Sequence, residues 1–229
     1  MNINKNGFTL IELMIAMGIG LVILAALYTS VNMAQRSSSG VGRKVVTQQD
    51  ARTVLDIMAM EIRMTSLNTS ASRTIWSTIP ACAMGSLVPV KENKGLQIAG
   101  PNAILIAMDL GGKIESGANV PSGIIGDAPN EYIEYEFKNK TITRNVSCGG
   151  DNVLLGGEDL STIVRNGVLG IPLFQYFDRL GNPTASIPDI RRVRITIVAD
   201  TMNPDALTSQ AKRMTYTTDV LVKNHVLCP

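Results

Sequence analysis

Gly7-Phe8-Thr9-Leu10-Ile11-Glu12-Leu13-Met14 opens the longest apolar run in the chain, and its reading decides the fold. From Phe8 to Ala34 the only charged residue is Glu12. As a helix, that run would extend about 40 Å, against roughly 30 Å of bilayer hydrocarbon. It is long enough to span a membrane with some tilt. Glu12 is the anomaly. A carboxylate at the centre of a span costs about 2.5–3.5 kcal/mol on insertion scales. One turn from the helix start the cost is lower, but a plain anchor has no use for it.

A secretory signal peptide would end its apolar core at a small-residue cleavage site. Here the run is longer and no such site follows. Cleavage ahead of the run, leaving the helix on the protein, fits better. Lys5-Asn6-Gly7-Phe8-Thr9-Leu10-Ile11-Glu12-Leu13 resembles the processing site of type IV prepilins and pseudopilins. The resemblance implies cleavage after Gly7 by a prepilin peptidase and N-methylation of Phe8 by the same peptidase/methyltransferase. It also implies that Glu12 is retained for assembly. The physics agrees with that role. The freed α-amine of Phe8 is a cation in a region of low dielectric, where a paired charge is strongly favoured over an unpaired one. Glu12 can meet that amine in its own chain or on a neighbouring subunit.

Composition excludes several function classes. The chain has 229 residues, and about 195 remain beyond leader and span, enough for one sizeable domain or two small ones. Losing residues 1–7 lowers Lys+Arg from 21 to 20 against 19 acids, no basis for a nucleic-acid partner. The three cysteines, Cys82, Cys148 and Cys228, lie far apart, and His225 is the only histidine, so no metal set is expected. A disulfide in an oxidising compartment is the better use of them. Cys82 with Cys148 is the expected pair, because both sit at element ends beside Gly or Pro turns. Cys228 is the alternative partner. No catalytic set and no cofactor site is expected. His225, near the C-terminus beside Cys228, is read as an ordinary terminal histidine next to a structural cysteine rather than as half of a Cys-His nucleophile. Gly111-Gly112 and Gly149-Gly150 lack the Lys-Ser/Thr of a phosphate loop. Asp178, Asn182 and Asp189 offer oxygens in one loop, but at no spacing that defines a calcium site.

Lys5 precedes the run, while Arg36, Arg43 and Lys44 follow it, so a bare charge count does not favour export of the C-terminal part. Large domains translocate largely regardless of that count. Next, Arg36-Ser37-Ser38-Ser39-Gly40-Val41-Gly42-Arg43 is poor in helix formers. The helix either breaks here or continues, held by packing. Over 44–67, Ala51, Val54, Leu55, Met58 and Ile62 recur at helical steps and predict an amphipathic helix supporting a sheet. Asp50, Arg52, Asp56, Glu61 and Arg63 fall mostly on other faces.

From residue 75 the pattern is short strands. Leu96–Met108 holds two around Gly100-Pro101-Asn102. Residues 111–130 read as a long exposed loop. Tyr132–Phe137 and Thr141–Val146 alternate about Lys138-Asn139-Lys140 and predict a hairpin. Val168–Asp178 reads as a strand or two. Ile190–Val198 and Thr215–Lys223 alternate as two more strands. Arg191, Arg192, Arg194, Lys212 and Arg213 form a small basic patch, read as a solvated strand face.

Several of these pieces are similar to PilW-type minor pilins and the GspJ-like pseudopilin group. They are Ala51-Arg52, Leu55-Asp56, Met58 and Glu61-Ile62-Arg63-Met64, then Phe174-Gln175-Tyr176-Phe177-Asp178, Arg192-Val193-Arg194-Ile195 and Val220-Leu221-Val222-Lys223-Asn224. The resemblance is weak over 70–130. It implies an α+β, pilin-like fold: a leader over 1–7, a membrane and filament helix over 8–35, a linker and amphipathic helix over 36–67, and a periplasmic antiparallel β domain over 68–229. It implies a structural role, not an enzymatic one: a minor pilin that initiates a type IV pilus or caps its tip. A type II secretion minor pseudopilin of the J type is the alternative. A tethered adhesion or DNA-binding module carried by the pilus is the reading from another class. The implied partners are the inner membrane, other minor and major pilins, the prepilin peptidase/methyltransferase and the pilus assembly platform.

Overall fold

A computed structural model describes residues 7–68, 75–84, 87–157, 162–201 and 211–225. One helix, α1 (Leu10–Met64), runs 55 residues, about 80 Å. Thr9 caps it, accepting a hydrogen bond from the Glu12 N–H while the Glu12 carboxylate reaches back to the Thr9 N–H.

The helix does not break at Ser37–Gly42. Packing does not hold it there, because these residues are exposed except for half-buried Gly40. Helix elongation is cheap once nucleated, and long helical stretches on both sides carry the segment through its poor residues. Ser39 donates its hydroxyl to the Gln35 carbonyl at 2.9 Å, the i−4 bond a serine makes inside a helix, so the helix persists despite it.

Burial along α1 changes at Thr47. Before it no residue is buried; from it onward Thr47, Ala51, Val54, Leu55, Met58, Ala59, Glu61 and Ile62 are. The apolar members step by three and four, so one stripe faces the domain. The helix ends at Met64, three residues short of the expected limit.

A short helix, α2 (Ala81–Met84), precedes the first sheet. That sheet contains β1 (Leu96–Ala99), β2 (Ala103–Ala107), β5 (Tyr132–Lys138), β6 (Thr141–Val146) and β7 (Asp151–Gly156), in the order β1-β2-β5-β6-β7, all antiparallel. Between β2 and β5 the chain forms a separate hairpin, β3 (Gly112–Glu115) with β4 (Ala118–Pro121). This corrects the reading of 111–130 as one long loop, while the exposure expected of it holds for β3 and the start of β4. Its glycines mark the turn and flanks of a ribbon, with Gly117 at φ +81° in the bend.

The second sheet has β10 (Arg192–Thr201) at its centre. On one side β11 (Arg213–Leu221) pairs along nine residues. On the other side β8 (Thr162–Val164) and β9 (Phe174–Phe177) pair with opposite ends of β10. The strand expected at Val168–Asp178 is only its second half. Asn166–Leu169 forms a short helix, α3, closed by Gly170 at φ +65°.

The stripe of α1 packs against both sheets, meeting Ile104, Ile106, Ile133, Tyr135 and Ile142 of the first and Val193, Ile195, Ile197 and Val220 of the second. A smaller cluster covers the other face of the first sheet. Ile75, Trp76, Ile79, Ala83, Met84 and Ile125 pack on Leu105, Ala107 and Tyr132. β2 is therefore buried on both faces, and it reads as a continuous apolar run, not an alternating one.

Candidate functional site: the exposed helix and its carboxylate

Gly7 and Phe8 lie at the start of the described chain, outside α1. A methyl group built on Gly7 would meet nothing within 4 Å, so the fold itself does not require glycine there. Phe8 is 88% exposed. The Glu12 carboxylate accepts from both the N–H and the hydroxyl of Thr9, each at 2.9 Å. One oxygen, Oε2, takes both bonds, which leaves Oε1 for an external partner. The sequence missed Thr9, although Thr9-x-x-Glu12 ahead of an apolar run is a capping-box signature.

On both sides of Glu12 the helix presents apolar side chains on every face. Leu10, Ile11, Leu13, Met14, Ile15 and Met17 are all more than half exposed, and the pattern persists to Met33. By length and composition this helix can cross a membrane. An apolar surface of this extent needs lipid or other helices around it.

The domain is fixed to α1 by a charged contact. Glu61, grouped with the charges on faces other than the apolar stripe, is only 7% exposed and belongs to the buried side. Its carboxylate accepts from Arg144 Nε at 3.1 Å and Nη2 at 2.6 Å, and from the Tyr135 hydroxyl. Burial and then the Glu61 carboxylate push the Tyr135 hydroxyl far above its ordinary pKa. The hydrogen bond to Glu61 raises Arg144 as well. All three groups are paired, which a buried charge requires.

Two further buried acids shape the projecting ribbon. Glu131, fully buried, accepts from the N–H groups of Leu110, Gly111, Gly126 and Ala128. Asp109 accepts from those of Ser122 and Gly123. These carboxylates satisfy the backbone of the connecting loops where no strand is available to do so.

The basic patch is largely neutralised. Asp219 takes Arg194 at 2.7 Å and Arg192 at 3.4 Å, and both guanidinium groups lie over the Phe177 ring. Asp200 takes Arg213 and Arg165. Burial alone would raise the Asp200 carboxyl, but the two arginines hold it below its usual range. Arg191 donates to the carbonyls of Pro188 and Ile190. No group of three or more potential metal ligands occurs among the described residues. Asp178 spends Oδ1 on the N–H groups of Leu180 and Asn182, an ordinary turn.

Cys82 and Cys148 are joined by a disulfide, with Cα atoms 6.1 Å apart. It ties the second cluster to the end of β6. Cys228 lies outside the described residues. His225 is not the unremarkable terminal residue its position implied: it is 1% exposed.

Residues 2–28 match the family described as Prokaryotic N-terminal methylation motif. No curated protein and no solved structure matches the chain. The motif and the long apolar helix together support a type IV pilin-like, membrane-anchored chain, a structural subunit in kind, processed by a prepilin peptidase and associating with pilins or their membrane assembly machinery.

Proposed function

We propose that this chain is a minor pilin of a type IV pilus, cleaved after Gly7, N-methylated at Phe8 and inserted into a filament through α1. One observation carries the reading. The same continuous helix has no buried residue up to Val46 and packs into the domain from Thr47. About two thirds of it, up to Val46, is left to lipid or to other subunits' helices, and the last third, from Thr47, belongs to a folded head. Glu12, with one free carboxylate oxygen, is the candidate partner for the Phe8 amine of a neighbouring subunit.

The subtype rests on sequence resemblance to PilW-type subunits, which favours a role in initiation or at the tip over bulk shaft. The test is recovery in sheared filaments. The wild-type chain is expected there in small amounts, and Glu12→Ala is expected to be cleaved normally but depleted. Equal recovery of the two would remove the role of Glu12. Absence of wild type from pili, with presence in a secretion apparatus, would favour the J-type pseudopilin.

A further inference from the structure

Three cations follow the apolar part of α1: Arg36, Arg43 and Lys44. Positive charge on the exported side of a span runs against the usual bias of flanking charge. Filament assembly through Glu12 does not account for it. No acid lies between Glu12 and Asp50, and none of the three cations is in an ion pair among the described residues. Arg36 and Lys44 are exposed and Arg43 is half-buried.

Their position is specific. Arg36, Gly40, Arg43 and Thr47 step by four, three and four, so they share one face of the helix. That face continues into Ala51, Val54 and Met58, which are buried in the domain. Arg36 and Arg43 therefore project on the side from which the domain hangs, below its first contact at Thr47. From Arg36 to Thr47 the helix rises about 16 Å. Beyond the hydrocarbon a headgroup layer occupies roughly 5–8 Å, and the Debye length in physiological salt adds about 8 Å. The bare stretch matches that combined thickness.

We propose that Arg36, Arg43 and Lys44 form a collar that binds anionic phospholipid headgroups on the domain's side of the membrane. The inference rests on the reading of residues 8–35 as a membrane span. Guanidinium groups pair with phosphate oxygens in a bidentate fork, and the lysine adds a point charge. A second copy of this chain is a poor occupant. Its own helix offers no carboxylate over the same stretch, so neighbours in near register would set cation against cation.

The test uses the full chain in nanodiscs of phosphatidylcholine with a minority of phosphatidylglycerol, ejected into a mass spectrometer with its retained lipids. Phosphatidylglycerol should be enriched about threefold over its bulk share. The triple variant Arg36→Gln, Arg43→Gln, Lys44→Gln should still float with vesicles but retain lipids at the bulk ratio. Bulk-ratio retention by the wild type would overturn the collar while leaving the span intact, as would enrichment kept by the triple variant. Failure of the wild type to float with vesicles of either composition would overturn the span and the collar together. If the triple variant keeps its lipids and is lost from filaments, the cations serve a neighbouring subunit and the proposal is wrong.

Discussion

The Ser66 hydroxyl donates to His225 Nδ1 across 2.9 Å, joining the residue that ends α1's turn to the last described residue of the chain. The proton assignment follows from the other ring nitrogen. Nε2 lies 2.8 Å from the Ile187 carbonyl oxygen, which can only accept. Nε2 therefore carries the hydrogen, and Nδ1 is the acceptor. Ser66 Oγ in turn accepts from the Gly95 N–H at 3.1 Å. The imidazole is buried, neutral and fully bonded. Burial, assisted by the nearby charges of Arg191 and Lys94, pushes its pKa down to about 4.

Stability should therefore fall in mild acid. Above pH 6.5 the ring is neutral in both folded and unfolded chains. Below it the unfolded chain takes up a proton that the folded chain refuses until about pH 4. The loss across that window is about 3 kcal/mol. Glu134 acts in the opposite sense, since burial and then Glu136 raise its pKa, so the comparison needs a reference. Denaturant unfolding of wild type and His225→Gln at pH 7 and pH 4.5 supplies one. The variant should lack most of the drop, and equal drops would mean that the ring does not titrate in this way.

Breaking one side of the Glu61–Arg144 pair should cost more than removing both. Arg144→Met leaves a buried carboxylate with only the Tyr135 hydroxyl, at about 3 kcal/mol or more. Glu61→Met with Arg144→Met should cost less than the single change. A double-mutant cycle in chemical denaturation checks this, and simple additivity would contradict it.

Gly95 should not tolerate alanine. A Cβ there would come within 2.6 Å of the Ser66 backbone nitrogen, and neither backbone can yield without disturbing the bond from Ser66 N–H to Ala107 O. An expected loss of about 2–4 kcal/mol, read as a shift in the denaturation midpoint without change of slope, follows from overpacking at a junction of three segments.

These junctions show what the sequence could and could not convey. The hairpin at Tyr132–Phe137 and the central strand at Arg192–Val198 were legible, because alternation over several residues has one structural meaning. The stripe Ala51–Ile62 was legible for the same reason at the helical period. Glu61 was not, because a charge in an amphipathic pattern is assigned to solvent unless its partner is known, and Arg144 lies 83 residues away. Asp109 and Glu131 were hidden similarly. Their role is to accept N–H groups from loops, and the one sequence signal was that they bracket a Gly-rich stretch. At Ser37–Gly42, residue-level propensity pointed against a helix, and the cooperativity of a 55-residue helix overrode it.

Non-reducing peptide mapping should return Cys82 linked to Cys148. The bridge spans 66 positions, and closing a loop of that length stabilises by about 4 kcal/mol in the chain-entropy view. Cys82→Ser should lower stability toward that amount, and the second cluster around Trp76 should show the earliest change in fluorescence. A dominant Cys148–Cys228 peptide would contradict the pairing.

The central claim is that α1 is the anchor and assembly helix of a processed pilin-like subunit. The most direct measurement is the intact mass and N-terminal sequence of the chain recovered from membranes of cells with an active prepilin peptidase. The account predicts a protein beginning at N-methylated Phe8, and an unprocessed chain when Gly7 is changed to Val. A wild-type protein that retains residues 1–7, or one cleaved beyond Ala34 with the helix lost, would contradict it.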